Sequence, residues 1–137
     1  MRVKVKRLHK DAVVGSYVHN GDAGIDLTAV SKEHIGENLI KYGFGLSFEI
    51  PEGFVGFIFP RSSIYKKQQM ILNSVGVVDS NFRGEVSVIM NDSDNSYQIG
   101  ERVAQLVIMP HPYINLVEVE ELTNTTRGNG GYGSTGV

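Results

Sequence analysis

The chain has 137 residues, 41% of them hydrophobic and 20% charged, with a formal net charge of −2. That describes one domain able to bury a sizeable core, and it excludes bulk attraction to nucleic acid or to an anionic membrane surface. The lack of cysteine excludes disulfide and thiolate chemistry and leads us to expect a cytoplasmic protein; the basic, non-apolar first ten residues point away from a signal peptide, and no apolar run reaches membrane-spanning length.

Residues 2–8 alternate, with Val3 and Val5 inward and Lys4 and Lys6 outward, as in a half-buried strand. Residues 10–20 read as a loop. From Asp22 the chain turns and enters a strand with Ile25, Leu27 and Ala29 on one face and Asp26 on the other. Residues 31–38 are polar and read as a loop. Residues 44–50 alternate again, residues 51–53 form a turn, and residues 54–59 form a strand ending at Pro60. Residues 61–70 are the one plausible helix, with Ser62 and Ser63 as N-cap candidates. Residues 71–90 read as a β-hairpin. Val75, Val77 and Val78 stand on one limb, Val86, Val88 and Ile89 on the other, with Asp79, Ser80, Asn81 and Gly84 in the turn. Residues 91–96 are a turn cluster, and residues 99–108 a strand broken by Pro110 and Pro112. Residues 116–119 alternate briefly. From Thr123 no apolar period remains, so a flexible arm is expected, carrying five of the 16 glycines. Short strands punctuated by Gly and Pro indicate an all-β sandwich, jelly roll or barrel.

Four stretches carry candidate chemistry. Asp79, held at a tight turn, suits a general base, and Phe82 gives the same loop an apolar face for a ring. Arg61, Ser62 and Ser63 combine a guanidinium, hydroxyls and backbone N–H groups, which suits phosphate. Residues 127–136 offer Arg127, Ser134 and Thr135 among glycines whose backbone can wrap an anion, with Tyr132 for a planar ligand; without a lysine or a following helix this is no P-loop. Residues 100–105 place Gln105 on a strand beside a Glu101–Arg102 pair. The four histidines show no metal-ligand spacing.

Taken together, these stretches resemble the trimeric dUTPase family. Its five ordered motifs are matched by residues 23–29 with Asp26, 60–63, 73–84, 100–106 and 127–136. The resemblance implies a β jelly-roll homotrimer, with residues 1–122 as the catalytic domain and 123–137 as an arm closing over an active site. It implies hydrolysis of dUTP to dUMP and pyrophosphate with Mg²⁺, removing dUTP from the nucleotide pool and supplying dUMP for dTMP synthesis. One subunit supplies Asn73 and Asp79, a second Asp26, Arg61, Ser62 and Gln105, and a third the arm.

The roles follow the same resemblance. Asp79 activates water and Asp26 holds a metal-bound water rather than the metal. Arg61, Ser62, Ser63 and Gln105 bind phosphates. Asn73 and backbone around Gly76, Val77, Val78 and Ser87 read uracil, while Phe82 lies against the sugar. Arg127, Gly133, Ser134 and Thr135 close on the γ-phosphate and Tyr132 caps the base. Phe82 and Tyr132 stand where the family usually has Tyr and Phe. A dCTP deaminase is the alternative enzyme, disfavoured by the glycine arm and the Asp79 turn. A regulatory protein partner, as some relatives have, stays open. No membrane or direct nucleic-acid partner is expected.

Overall fold

The computed structural model describes residues 1–136. It is an all-β jelly roll built from nine strands, with one short 3₁₀ helix (Ser62–Lys67). The strands are β1 (Lys4–Arg7), β2 (Ile25–Thr28), β3 (Ser31–Gly36), β4 (Leu39–Gly43), β5 (Leu46–Glu49), β6 (Phe54–Pro60), β7 (Gly76–Val78), β8 (Ser87–Asn91) and β9 (Arg102–Pro110). They form three antiparallel sheets, ordered β1-β5, β2-β9-β6-β7 and β3-β4-β8.

Alternation explains the core. Leu27, Ile40, Tyr42, Phe44, Leu46, Ile58, Met90 and Val103 point inward from six strands and the β4–β5 link and are almost fully buried. Tyr42 sits at the centre. Its hydroxyl donates to Gln69 Oε1 (3.2 Å) and the Tyr97 carbonyl (3.3 Å), so its polar end is satisfied inside an apolar layer. Between β4 and β5 the chain must turn through Gly45, whose φ of +63° and close approach to His9 Cβ both call for glycine.

Several sequence expectations are corrected. Residues 31–38 are not a loop: β3 occupies Ser31–Gly36. It is an edge strand with an almost wholly exposed pattern, so it lacks the apolar alternation by which strands are recognised. The helix over 61–70 is a single six-residue 3₁₀ segment, and its N-cap is Arg61 with no side-chain capping bond, so Ser62 and Ser63 do not cap it. The last strand starts at Arg102 rather than residue 99, because Gly100 turns with φ +89°.

The reading of residues 71–90 as a hairpin is also revised. β7 pairs with β6 and β8 with β4, in different sheets. The two limbs meet only at their base, through an Ile71–Met90 bridge and a bond from Leu72 N–H to the Ile89 carbonyl (3.0 Å). Residues 111–120 pass over the surface without regular structure, leaving Leu116 and Val117 exposed. Among the described residues no helix is long and apolar enough to cross a membrane.

Candidate active site

The divergence of β7 and β8 creates the first part of the site. Each is the edge strand of its sheet, so backbone groups on their facing edges are not spent on one another. Between them lies a pocket of about 220 Å³, lined by Ile58, Asn73, Gly76, Val77, Val78, Asp79, Phe82, Glu85, Val86 and Ser87. Seven of the residues expected at the nucleoside are therefore together, Asn73, Gly76, Val77, Val78, Asp79, Phe82 and Ser87, whereas Tyr132, expected over the base, is not among them. Asp79 is also at the rim of a second cleft of about 640 Å³ that runs toward Phe54, Phe57, His111 and Tyr113.

The connecting loop is pinned on its return side. Gly45 N–H donates to Glu85 Oε1 (2.8 Å), Ser47 Oγ to the Arg83 carbonyl (2.6 Å), and Val86 N–H to the Leu46 carbonyl (2.9 Å). Phe82 N–H donates to the Asp79 carbonyl (3.1 Å), closing the turn, and Arg83 Nη1 donates to the Ser80 (2.7 Å) and Phe82 (3.0 Å) carbonyls. The Asp79 side chain stays exposed at the mouth, free to meet water. Phe82 folds back over Gly84: a Cβ there would lie 2.5 Å from its Cζ, so glycine lets the ring form the pocket wall. Glu85 lines the pocket too, and sequence reasoning missed it; its signal is its place one residue before the buried Val86.

A second cluster lies across β2, β9 and the end of β6. Asp26 and Gln105 are register partners, as are Gln105 and Phe59, so three neighbouring strands bring Asp26, Gln105 and the Pro60–Arg61 step into one row. Arg61 Nε donates to Asp26 Oδ1 (2.9 Å) and Arg102 Nη1 to Asp26 Oδ2 (3.0 Å), while Arg61 Nη1 reaches the Arg102 carbonyl (3.3 Å). One carboxylate between two guanidiniums leaves the cluster with a net positive charge, suited to an anion. Gln105 Nε2 donates to the Pro60 carbonyl (2.9 Å), so its amide is spent on holding the segment that presents Arg61, Ser62 and Ser63.

The expected Glu101–Arg102 pair does not form. Glu101 lies in the bend that precedes β9, whereas Arg102 is the first residue of that strand. Arg102 turns to Asp26, whereas Glu101 binds Lys67 Nζ (2.8 and 2.9 Å) at the end of the 3₁₀ helix and accepts the Gln98 N–H (2.7 Å). Burial works to raise the Glu101 pKa, but the Lys67 and Gln98 bonds outweigh it and hold the carboxyl below its usual range. Arg102 was the cluster member that sequence reasoning left as a structural residue; its odd offset from Gln105 predicts opposite faces on a regular strand, and only the register shift between Leu27 and Thr28 opposite it, which the sequence does not signal, breaks that alternation.

Arg127 and Tyr132 to Thr135 form a third, separate group. Successive turns shape residues 125–136, with Arg127 Nε donating to the Gly130 carbonyl (2.9 Å) and Ser134 N–H to the Gly131 carbonyl (3.0 Å). Tyr132 has φ +41° and a fully exposed ring. Among the described residues, the hydrogen bonds of 123–136 all close within that segment.

The two body clusters are far apart in one chain. Val78 pairs with Gly56, so Asp79 falls level with Val55, six residues from Arg61 along β6. At roughly 3.3 Å per residue they lie about 20 Å apart. Within one chain, therefore, the Asp79 carboxylate and the Arg61 guanidinium belong to two separate clusters.

As to metal, among the described residues no group of three or more His, Cys, Asp and Glu is gathered to hold an ion. Both Asp26 oxygens are engaged by arginines. That donor set fits Mg²⁺ carried by phosphate oxygens and its own waters, with Asp26 beyond the first layer of ligands.

A family model described as dUTPase matches residues 11–136. The deoxyuridine 5'-triphosphate nucleotidohydrolase of a Picosynechococcus strain is 41% identical to this chain, covering 99% of each. That of a Helicobacter pylori strain is 38% identical, covering all of this chain and 98% of its own. Among solved structures, the dUTPase of Staphylococcus bacteriophage 80alpha with dUpNHpp matches with a TM-score of 0.83 at 27% identity, covering 99% of both chains. The dUTPase of phage phi11, whose structure is described with a structural Mg(II) ion, matches with a TM-score of 0.74 at 22% identity, covering 88% of this chain and 98% of its own.

Proposed function

Because this chain belongs to the dUTPase family, we propose that it is a hydrolase converting dUTP to dUMP and pyrophosphate. The observation that carries the reading is the pocket between β7 and β8, which joins a nucleoside-sized space to an exposed carboxylate at its mouth. The base enters between the two strands. Asn73 and backbone groups on the β7 and β8 edges pair with its polar rim, and a cytosine rim would leave them unpaired. Phe82 lies against the sugar, where a 2′-hydroxyl would be buried without a partner.

Asp79 orients a water and takes its proton as the water oxygen bonds the α-phosphorus. The bond from that phosphorus to the bridging oxygen breaks, and pyrophosphate leaves with the electron pair. Arg61, Ser62, Ser63 and the backbone braced by Gln105 hold the phosphates. Arg127, Gly133, Ser134 and Thr135 close on the γ-phosphate, with Tyr132 over the base. Mg²⁺, when bound through the phosphates, spreads the charge that develops on them. Asp26 keeps Arg61 in place and would hold that ion through water.

The distance of about 20 Å between Asp79 and Arg61 along β6 supports assembly from several copies, and we infer a homotrimer with each site drawn from neighbouring chains. A cytoplasmic enzyme that clears dUTP and supplies dUMP for dTMP synthesis is part of the same reading. The test is pyrophosphate release from dUTP, dCTP, dTTP and UTP with Mg²⁺. Turnover of dUTP alone supports it; no turnover of dUTP, or ammonia release from dCTP, refutes it.

A further inference from the structure

Gln105 spends its amide on the Pro60 carbonyl (2.9 Å), and the room for that amide comes from a residue with no part in the chemistry assigned so far. Gly24 lies one residue before β2 and is half-buried, as Gln105 is. A Cβ on Gly24 would fall 2.4 Å from Gln105 Oε1, 3.2 Å from its Cδ and 3.3 Å from its Cβ. A carbon and an oxygen meet at about 3.3–3.6 Å, so a methyl there would overlap the amide oxygen by roughly 1 Å. The Gly24 backbone is not left-handed, so what this glycine contributes is space.

The strand beside Gly24 is held too firmly to give way. β2 is registered to β9, with Ile25 opposite Leu106 and Asp26 opposite Gln105. Gly15 also packs on β2, so closely that a Cβ there would fall 2.7 Å from the Asp26 carbonyl oxygen and 2.8 Å from Ile25 Cγ2. The group that can yield is the Gln105 amide, the free end of a side chain, and its retreat would draw Nε2 off the Pro60 carbonyl. Pro60 ends β6 and leads directly into Arg61 and the 3₁₀ helix at Ser62, whose N-cap has no side-chain bond of its own. The start of that segment is instead fixed from outside, by Arg61 on Asp26 and on the Arg102 carbonyl and by Gln105 on Pro60.

We propose that Gly24 is a positioning residue for the triphosphate grip: by carrying no side chain it seats the Gln105 amide, which holds Pro60 and so sets where Arg61, Ser62 and Ser63 present their donors. Donors fixed in advance bind without first losing freedom. With Pro60 released, the triphosphate must order the segment as it binds, and its affinity falls. The nucleoside pocket between β7 and β8 is untouched by that change. This rests on the phosphate role of Arg61, Ser62 and Ser63 given above.

Gly24→Ala is to be compared with Gln105→Ala and the double variant, as full-length protein, by pyrophosphate release from dUTP, inhibition by deoxyuridine and thermal melting. We expect the KM for dUTP to rise about three- to tenfold in Gly24→Ala, the value of one hydrogen bond, with kcat within about twofold. Inhibition by deoxyuridine, which carries no phosphate, should be unchanged. Gln105→Ala should raise KM as much, and adding Gly24→Ala to it should cost nothing more, because the methyl then has room. The melting temperature of Gly24→Ala should hold, since the group displaced is the end of a side chain. A wild-type KM in Gly24→Ala, an equal loss of deoxyuridine inhibition, full additivity with Gln105→Ala, or a loss of melting temperature that persists in the double variant would overturn the proposal. If the unmutated chain itself fails to release pyrophosphate, the underlying reading falls as well; if it is active and Gly24→Ala matches it, only this inference falls.

Discussion

Replacing Gly84 by alanine would place a methyl carbon 2.5 Å from Phe82 Cζ and 2.9 Å from Cε2. Carbon atoms pack at about 3.5–4.0 Å, so the ring must retreat by roughly 1 Å. It is the free end of a side chain that is 44% exposed, and it can swing outward at little cost to the fold. The same ring, however, walls the nucleoside pocket. Losing an aromatic contact of this kind costs about 0.5–1.5 kcal/mol, which corresponds to a KM for dUTP raised about 2- to 12-fold. Gly21→Ala is the control. There φ is +94° and an added Cβ would meet nothing within 4 Å, away from the pocket, so only backbone strain acts. Strain of about 1–3 kcal/mol should lower its melting temperature by about 4 °C or more and leave KM alone. Initial rates over a range of dUTP, with a thermal melt of each variant, check both. A wild-type KM in Gly84→Ala, or a loss of melting temperature as large as that of Gly21→Ala, would refute the reasoning.

Asp79→Asn should lower kcat by about 10²-fold or more and leave dUTP binding largely intact, since an amide cannot take the water's proton; rates and calorimetric titration check this. A chain ending at Thr126 should keep its fold by circular dichroism and lose most hydrolysis, and full activity would mean that residues 127–136 take no part. Acid should weaken the fold. Asp92 is held below its ordinary value of 3.8, first by the Ser96 hydroxyl, against burial and with help from the Ser93 N–H and His34; Glu101 is held below its ordinary 4.5 by Lys67 and Gln98, which outweigh burial. Carboxyls that ionise more readily folded than unfolded stabilise the protein above their unfolded pKa, and that gain is lost as pH falls below 4.5 and then 3.8. Melting temperatures through this range should fall by a modest amount, since both carboxyls are screened by water, and Glu101→Gln should flatten the upper part of the slope.

Much of this fold is legible where burial is one-sided. Leu27 and Ile58 mark β2 and β6 because apolar residues recur on one face of each strand. β3 is not legible in that way, since an edge strand with both faces near water has no apolar period. The β7–β8 pair shows where local pattern stops being informative. Two apolar runs around a turn look alike whether they pair with each other or with other strands, and pairing with β6 and β4, set by distant residues, decides. Ser62 and Ser63 look like caps from residue type, but Arg61 takes that place and the segment is too short for a regular helix. The site residues were found by motif rather than by periodicity. Sequence could not reveal that both Asp26 oxygens are held by arginines, or that the Gln105 amide is spent on Pro60.

The central claim, that Asp79 and Arg61 act together from different copies, is open to complementation. Asp79→Asn and Arg61→Ala chains, each almost inactive alone, are co-expressed in equal amounts and their mixed assemblies purified. Each carries the residue the other lacks. If every site takes Asp79 from one chain and Arg61 from its neighbour in a trimer, about a third of the sites in each mixed assembly are intact and dUTP hydrolysis should recover to about that fraction of the unmutated rate. Mixed assemblies no more active than the two variants measured separately would contradict it.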